Sequence, residues 1–379
     1  VAIADRLIRA GVAVVLLAAT LPPVACRDGT SRRLGRAERA EVASGERGDA
    51  AATRRLEVRW LVPPDAFGDP PLAAPIALAV DEDLGRLYIL ETQPPELRVY
   101  DLESGSYVDA LGREGDGPGE YRRPIALAVE PGGLVAVLSM SGRVTFWRGD
   151  GKYAGGVRVG PGLATDIVAA RADTFYVKTD LFPPEDVAEF RVVAVDTVLE
   201  RPRFRDVDVR GTEEPGRPYR NHSYAVAATS SGDLLLAPPG PDYTILRVGG
   251  TGEVIQEIGR PDAAPLSRSE AEIEAIRERV RRAFAALGRA APSDTPIPKY
   301  RAQVARLAVA PDASIWALTQ RGDSSTAIID RFAGDGEFSG SFMVEVRASE
   351  LAVSSAGIYF VARSTFDVPG IAVVRRPGG

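Results

Sequence analysis

The sequence predicts an all-β fold, a six-bladed β-propeller whose N-terminal strand closes the last blade, with one helical insertion near residues 267–288. Three observations predict it. A pair of strand-like strings recurs six times along the chain. Glycine-rich hairpins follow several of these pairs. An unpaired strand stands ahead of the first repeat, while the last repeat is one strand short.

The repeat is clearest in PIALAV, which occurs at 75–80 and again at 124–129. Related strings are DIVAA at 166–170, YAVAA at 224–228, ARLAV at 305–309 and ELAV at 350–353. Each is followed by a turn and a second string: RLYIL, LVAVL, TFYV, DLLLA, SIWAL or GIYFV. β-Branched and aromatic residues bounded by Gly, Asp, Ser and Pro read as strands. With Val80, Val129, Ala169, Ala228, Val309 and Val353 as equivalents, the spacings are 49, 40, 59, 81 and 44 residues. Units of four strands at such a period indicate propeller blades.

The third and fourth strands of a blade are read from FWRGDGKYAG (146–155), RVGGTGEVIQ (247–256) and RFAGDGEFSG (331–340). A Gly-x-Gly turn between two apolar strings is a hairpin, because glycine supplies the positive φ of such turns. VYDLESGSYV (99–108) is the same element with one glycine. After Val353 only 26 residues remain, enough for three strands. LEVRWLV (56–62) alternates Leu56, Val58, Trp60 and Val62 with Glu57, Arg59 and Leu61, the pattern of a strand with one buried face. It is expected to supply the missing outer strand and so to hide two open edges.

LGREGDGPGEYRRP (111–124) resembles a ligand loop, but its context argues otherwise. A phosphate loop continues into a helix with Lys and Ser or Thr. Here Pro124 and a strand follow. An EF-hand needs acids at alternating positions, and Gly117-Pro118-Gly119 interrupts that series. The stretch reads as the connection between the first and second blades, with Tyr121 packed.

On these residues the chain, over about 56–379, resembles the six-bladed NHL-like β-propeller family, in particular its bacterial lipoproteins. The resemblance rests on GREGDGPGEYRRP leading into IALAV and on the three Gly-x-Gly hairpins. It implies a protein- or RNA-binding platform, a lactonase-like hydrolase or a peptide-amidating lyase. The fold does not choose among them.

The N-terminus predicts a destination. Arg6 and Arg9 precede the apolar run GVAVVLLAATL (11–21). Such a run is too short for a bilayer core, which takes about twenty residues, and matches a secretory signal peptide. It leads to Pro23-Val24-Ala25-Cys26, which resembles a lipobox, with Pro23 where an aliphatic residue is usual. Residues 1–26 are therefore expected to be a signal peptide ending at a lipidated Cys26. The protein would cross the inner membrane and stay in the cell envelope, anchored in the periplasm or outer membrane. Residues 27–54 carry almost no large apolar side chains and read as a flexible tether, with the propeller from 55 onward. Cys26 is the only cysteine, so the core alone must hold the fold.

Composition narrows the function. The net charge is −6, which speaks against nucleic acid as a bulk electrostatic partner. Zinc and copper sites want several histidines or cysteines, and the chain has one of each, His222 and Cys26. A histidine-based metal lyase is thereby disfavoured, and no Gly-x-Ser-x-Gly elbow supports serine hydrolysis. No catalytic residue is assigned.

Two kinds of site remain. Tyr-Arg occurs three times shortly before an inner strand: Tyr121-Arg122 (followed by Arg123), Tyr219-Arg220 and Tyr300-Arg301. In a ring these positions reach one face, where arginine forks and aromatic rings suit an anionic or aromatic ligand. Asn221 and His222, the only residues of their kinds, sit beside Arg220. The expected role is a monomeric binding or scaffolding module for a protein or such a ligand, with no cofactor. The alternative is a calcium-dependent, lactonase-like hydrolase holding calcium in the central channel through Asp166, Asn221 and Glu350.

The insertion in the longest repeat is predicted to be helical. Ser267 and Glu270 have capping-box spacing, and Ile273, Ile276, Val280, Phe284 and Leu287 recur on one face. Gly288 is placed as the C-cap. The helical insertion is bounded at 266–292.

Overall fold

The computed structural model describes residues 53–64, 70–160, 163–171, 173–180, 187–195, 197–200, 203–205, 224–260, 262–286, 288, 290–291 and 297–377. Cys26, Tyr219, Arg220, Asn221, His222 and most of the expected tether lie outside the described residues.

The chain opens with β1 (Thr53–Leu56) and β2 (Val58–Val62). Blade one is β3 (Pro75–Asp81), β4 (Arg86–Thr92), β5 (Pro95–Asp101) and β6 (Tyr107–Leu111). Two short strands, β7 (Arg113–Glu114) and β8 (Glu120–Tyr121), lead to blade two. That blade is β9 (Pro124–Glu130), β10 (Leu134–Ser139), β11 (Arg143–Arg148) and β12 (Tyr153–Arg158). Blade three is β13 (Leu163–Arg171), β14 (Thr174–Asp180), β15 (Val187–Ala194) and β16 (Thr197–Glu200), with β17 (Arg203–Arg205) also on β15. Blade four is β18 (Ala225–Ala228), β19 (Leu234–Ala237), β20 (Thr244–Val248) and β21 (Val254–Gly259). The helix α1 (Glu270–Ala286) follows. Blade five is β22 (Val304–Val309), β23 (Ile315–Thr319), β24 (Ala327–Phe332) and β25 (Phe338–Val344). Blade six is β26 (Arg347–Val353), β27 (Gly357–Arg363) and β28 (Pro369–Arg375).

The ring closes as the sequence predicts. β2 pairs antiparallel with β28 and becomes the outer strand of blade six. A bulge between Trp60 and Val62 buries Leu61 as well as Val62, which breaks the simple alternation read from the sequence. β1 adds a second closure that the sequence does not announce. It pairs in parallel with β25, Thr53 to Ser341 through Leu56 to Val344, and makes blade five a five-stranded sheet. Thr53 and Arg54, read as the end of the tether, belong to this strand. One residue, Glu57, separates the strands that join two neighbouring blades.

Each blade is sandwiched between two others, which is why its second strand is apolar on both faces. In β4, Leu87 and Ile89 pack with Tyr359 and Ile371 of blade six, while Tyr88 and Leu90 pack with Val135 and Val137 of blade two. One such cluster fills every interface, and the ring of clusters is the core. A fully buried side chain of this size contributes about 1.5–3 kcal/mol.

The hairpins share one geometry. Gly151, Gly252 and Gly336 take φ of 82°, 94° and 91°, the left-handed region where a Cβ is strained. Beyond each turn an aromatic or aliphatic residue of the outer strand meets one of the third strand. Tyr100 and Tyr107, Trp147 and Tyr153, and Phe332 and Phe338 form edge-on pairs with centroids 5.7, 5.9 and 5.5 Å apart. Val248 and Val254 are partners at the same register.

The connections divide by face. Links between first and second strands, and between third and fourth, are tight turns and define a turn face. The links from one blade to the next leave at the opposite side, the loop face. Residues 112–123 and the described residues of 260–303 are both on it.

Candidate functional site

The site is built from the loop-face ends of the inner strands. In β3, β13, β22 and β26 the pairing with the second strand skips one residue near the start: Ile76, Thr165, Ala305 and Ser349. The next residue is the first to pair regularly, and it occupies one level of the ring. Going round the blades, that level holds Ala77, Ala126, Asp166, Ala225, Arg306 and Glu350. Half of it is alanine and half is charged.

Arg306 donates to Glu350 as a fork, Nε to Oε2 at 2.7 Å and Nη2 to Oε1 at 2.5 Å, and Nη1 donates to the Ala305 carbonyl at 2.8 Å. Such paired bonds are among the stronger charge-assisted contacts. The Glu350 carboxylate holds the guanidinium further above its ordinary pKa. Arg306 stands on an inner strand, and half of its side-chain surface meets water. That combination marks the lumen of the central channel.

Asp166 shares the lumen. Burial pushes its carboxyl up to about 6, against the pull of Arg306, the Ile167 N–H and Lys178, while Glu350 adds to the rise. Its Oδ1 accepts the Ile167 N–H at 2.8 Å. Lys178, its cross-strand partner, is buried and lies 5.4 Å from the centre of the Tyr224 ring. Among the described residues this group holds two acids and two bases.

The residues singled out from sequence fall into separate places. Tyr121 is fully buried, edge-on to Trp147 at 6.5 Å, so it packs between blades one and two and offers no ligand contact. Arg122 pairs with Asp116 at 2.9 Å on the surface, and Arg123 is exposed with a positive φ of 51°. Tyr300 is half-buried beside Lys299 and bridges to Ser267. Arg301 reaches Glu272 of α1 at 3.7 Å. Tyr300 and Arg301 therefore belong to the neck of the insertion. Both candidate calcium ligands within the described residues, Asp166 and Glu350, do line the channel, but Arg306 takes both oxygens of Glu350. Among the described residues no three His, Cys, Asp or Glu side chains gather into a metal-binding group.

The insertion is fixed at both ends. Arg260 is buried and contacts Asp330 at 3.4 Å, Ser341 at 3.1 Å and the Phe338 ring at 4.2 Å. Gln303 Nε2 donates to the carbonyls of Pro241 and Ala264 at 2.8 and 3.0 Å. The capping box lies two residues beyond its predicted place. Ser269 N donates to Glu272 Oε2 at 2.8 Å and Glu272 N to Ser269 Oγ at 3.2 Å. Ser267 is instead held in the neck. Gly288, φ 67°, ends the helix as expected. Among the described side chains of α1, Val280 is buried and Ile273, Ile276 and Phe284 remain half-covered. No helix among the described residues is long and apolar enough to cross a membrane.

Arg306 and Lys178 are the residues the sequence reading missed. The signal for Arg306 was present: aligning the six inner strings puts it in one column with Asp166 and Glu350.

No protein-family profile matches the chain, and no curated protein matches it. Solved structures similar to it include the WD40 repeats of RRP9, at 11% identity over 86% of this chain and 98% of that one, with a TM-score of 0.52. U3-55K gives 10%, 86%, 99% and 0.51. A Bacteroides fragilis protein described as exported gives 13%, 85%, 95% and 0.50. At these identities the likeness is one of fold, and the chain is a six-bladed β-propeller.

Proposed function

We propose that the protein is a lipid-anchored binding module of the cell envelope, of the NHL-like lipoprotein type, which receives its ligand or partner at the loop face. One observation carries this reading: among the described residues, the longer connections and the charged half of the channel ring share that face, while the turn face carries tight turns. Loops set on a rigid scaffold are where proteins place recognition. The signal-like run and Cys26 supply the anchor, and the tether of residues 27–52 sets the ring off the membrane. A catalytic calcium site is not favoured, because the arginine fork neutralises Glu350.

The test is photocrosslinking in membranes. A crosslinker at Arg122 or Arg347 of the loop face is expected to capture a partner or ligand. One at Ser104 or Thr251 of the turn face is expected to capture none. Equal capture from both faces overturns the reading. Cys26→Ser should move the protein out of the detergent phase; retention there overturns the anchor.

A further inference from the structure

Within the binding role proposed above, on which this inference rests, we propose that the loop-face corner between blades one and two binds an acidic segment of a partner protein. Its carboxylates would meet Arg122, Arg123, Arg143 and Arg158, and an apolar side chain would meet the ring of Tyr153.

The arginines are gathered by their bonds. Arg122 Nη2 pairs with Asp116 Oδ2 at 2.9 Å, and Arg143 Nη1 donates to the Asp116 carbonyl. Arg158 stands directly opposite Arg143 on the neighbouring strand, and its Nη1 donates to the Ser141 carbonyl at 3.1 Å. Like charges in that relation destabilise a sheet. Backbone carbonyls orient these two guanidinium groups without cancelling their charge. Glu120 is already bound, by Arg113 at 2.9 Å and by the Gly117 N–H at 2.8 Å. The four arginines are then set against Asp116 and Glu114 of the same loop, which leaves the corner two charges positive in a chain of net charge −6.

The corner is also fixed in place. Tyr121 is buried, Gly115 N donates to its carbonyl at 3.0 Å, and β7 pairs with β8. A surface ordered beforehand loses little entropy on binding. Arg123 is exposed and takes a φ of 51°, which glycine adopts more easily than arginine. Strained positions of this kind collect at binding sites.

Tyr153 gives the corner an apolar part. Its side chain is exposed and lies edge-on to Trp147 at 5.9 Å. A Cβ at Gly156 would be 3.3 Å from the Tyr153 hydroxyl and 3.7 Å from Arg143 Nε. Ring and guanidinium therefore lie side by side over a residue without a side chain. Tyrosine and arginine are the residues that dominate protein interfaces.

Arginine forks suit carboxylate and phosphate alike. A phosphate polymer is charged along its whole length and would run from this corner onto a protein of net negative charge. A protein segment can place carboxylates on the arginines and an apolar residue on Tyr153, so the geometry favours the protein.

The test is fluorescence anisotropy of the full-length protein in neutral detergent. The probes are a labelled peptide of glutamates around a single phenylalanine, its serine counterpart and labelled inorganic hexaphosphate. The glutamate peptide should bind, and more weakly as salt rises. Arg143→Gln with Arg158→Gln should weaken it at least about tenfold, the cost of one charge-assisted contact. Arg277→Gln with Arg282→Gln, which removes the same charge from α1, should leave it unchanged. Arg123→Gly should raise the melting temperature and yet weaken binding. Tyr153→Ala should weaken the peptide more than hexaphosphate, and melting temperatures check that every variant folds. The proposal is overturned if the glutamate peptide does not bind or the serine peptide binds as well. It is also overturned if the α1 pair costs as much as the corner pair, or if Arg123→Gly or Tyr153→Ala leaves affinity unchanged. Tighter binding of hexaphosphate than of the peptide would overturn it too, by assigning the corner to phosphate. The broader loop-face role survives any of these results if Arg347 crosslinks still form.

Discussion

The guanidinium of Arg306 on β22 forks onto the carboxylate of Glu350 on β26, with bonds of 2.7 and 2.5 Å that join the inner strands of the neighbouring blades five and six. Removing one partner leaves the other charged and without its fork, though still in contact with water. Glu350→Gln and Arg306→Met should each destabilise the protein. A double-mutant cycle in urea should give a coupling of about 1 kcal/mol, held low by hydration of the lumen. A coupling near zero would show that the fork contributes only to recognition.

The channel should make stability depend on pH through Asp166. Its carboxyl is raised from the ordinary 3.8 to about 6 in the folded protein. The folded state then holds a proton that the unfolded state has released, so this group's contribution falls as pH rises from about 4 to 6 and stays lost above. The groups that face it are Arg306, Lys178 and Glu350. Asp166→Asn removes the loss. The variant should gain on the order of 1–3 kcal/mol relative to the parent between pH 4 and pH 7. Chemical denaturation at both pH values measures it, and a constant difference would count against the raised pKa.

The N-terminal strap should hold the ring shut. Residues 53–62 cover the edge of β25 and complete blade six, and Leu61 and Val62 lie in the interface with blade one. Their deletion should lower the melting temperature by on the order of 10 °C, from the apolar surface exposed. Deleting 53–56 alone should cost much less, because blade six keeps its fourth strand. Equal losses would mean that β1, not β2, is the main closure.

Tyr121 should act through packing alone. Its hydroxyl and the Trp147 indole N–H are buried without reaching hydrogen-bond geometry, and burial pushes the phenol far up. Tyr121→Phe should change stability by less than about 1 kcal/mol. Gly112→Ala should be far worse, by about 2–4 kcal/mol. Gly112 has a φ of 77°, and an added Cβ would meet the Tyr121 ring at 2.3 Å. A mild Gly112→Ala variant would show that this loop can shift.

The sequence by itself determined the number of blades, their hairpins and the strand that closes the ring. Those features are written locally: each blade is an antiparallel meander, and its turns need glycine wherever φ is positive, as at Gly151 and Gly336. Even there, local rules left ties. Ser267 with Glu270 and Ser269 with Glu272 have the same capping spacing, and only the bridge from Ser267 to Tyr300 decides between them. Tertiary structure alone decided the parallel seat of β1 on β25 and the meeting of Asp166, Arg306 and Glu350 in one lumen. These residues are far apart in the chain, and what joins them is closure of the ring. Closure gives every inner strand the same level around one axis, so a single column of side chains becomes a single site.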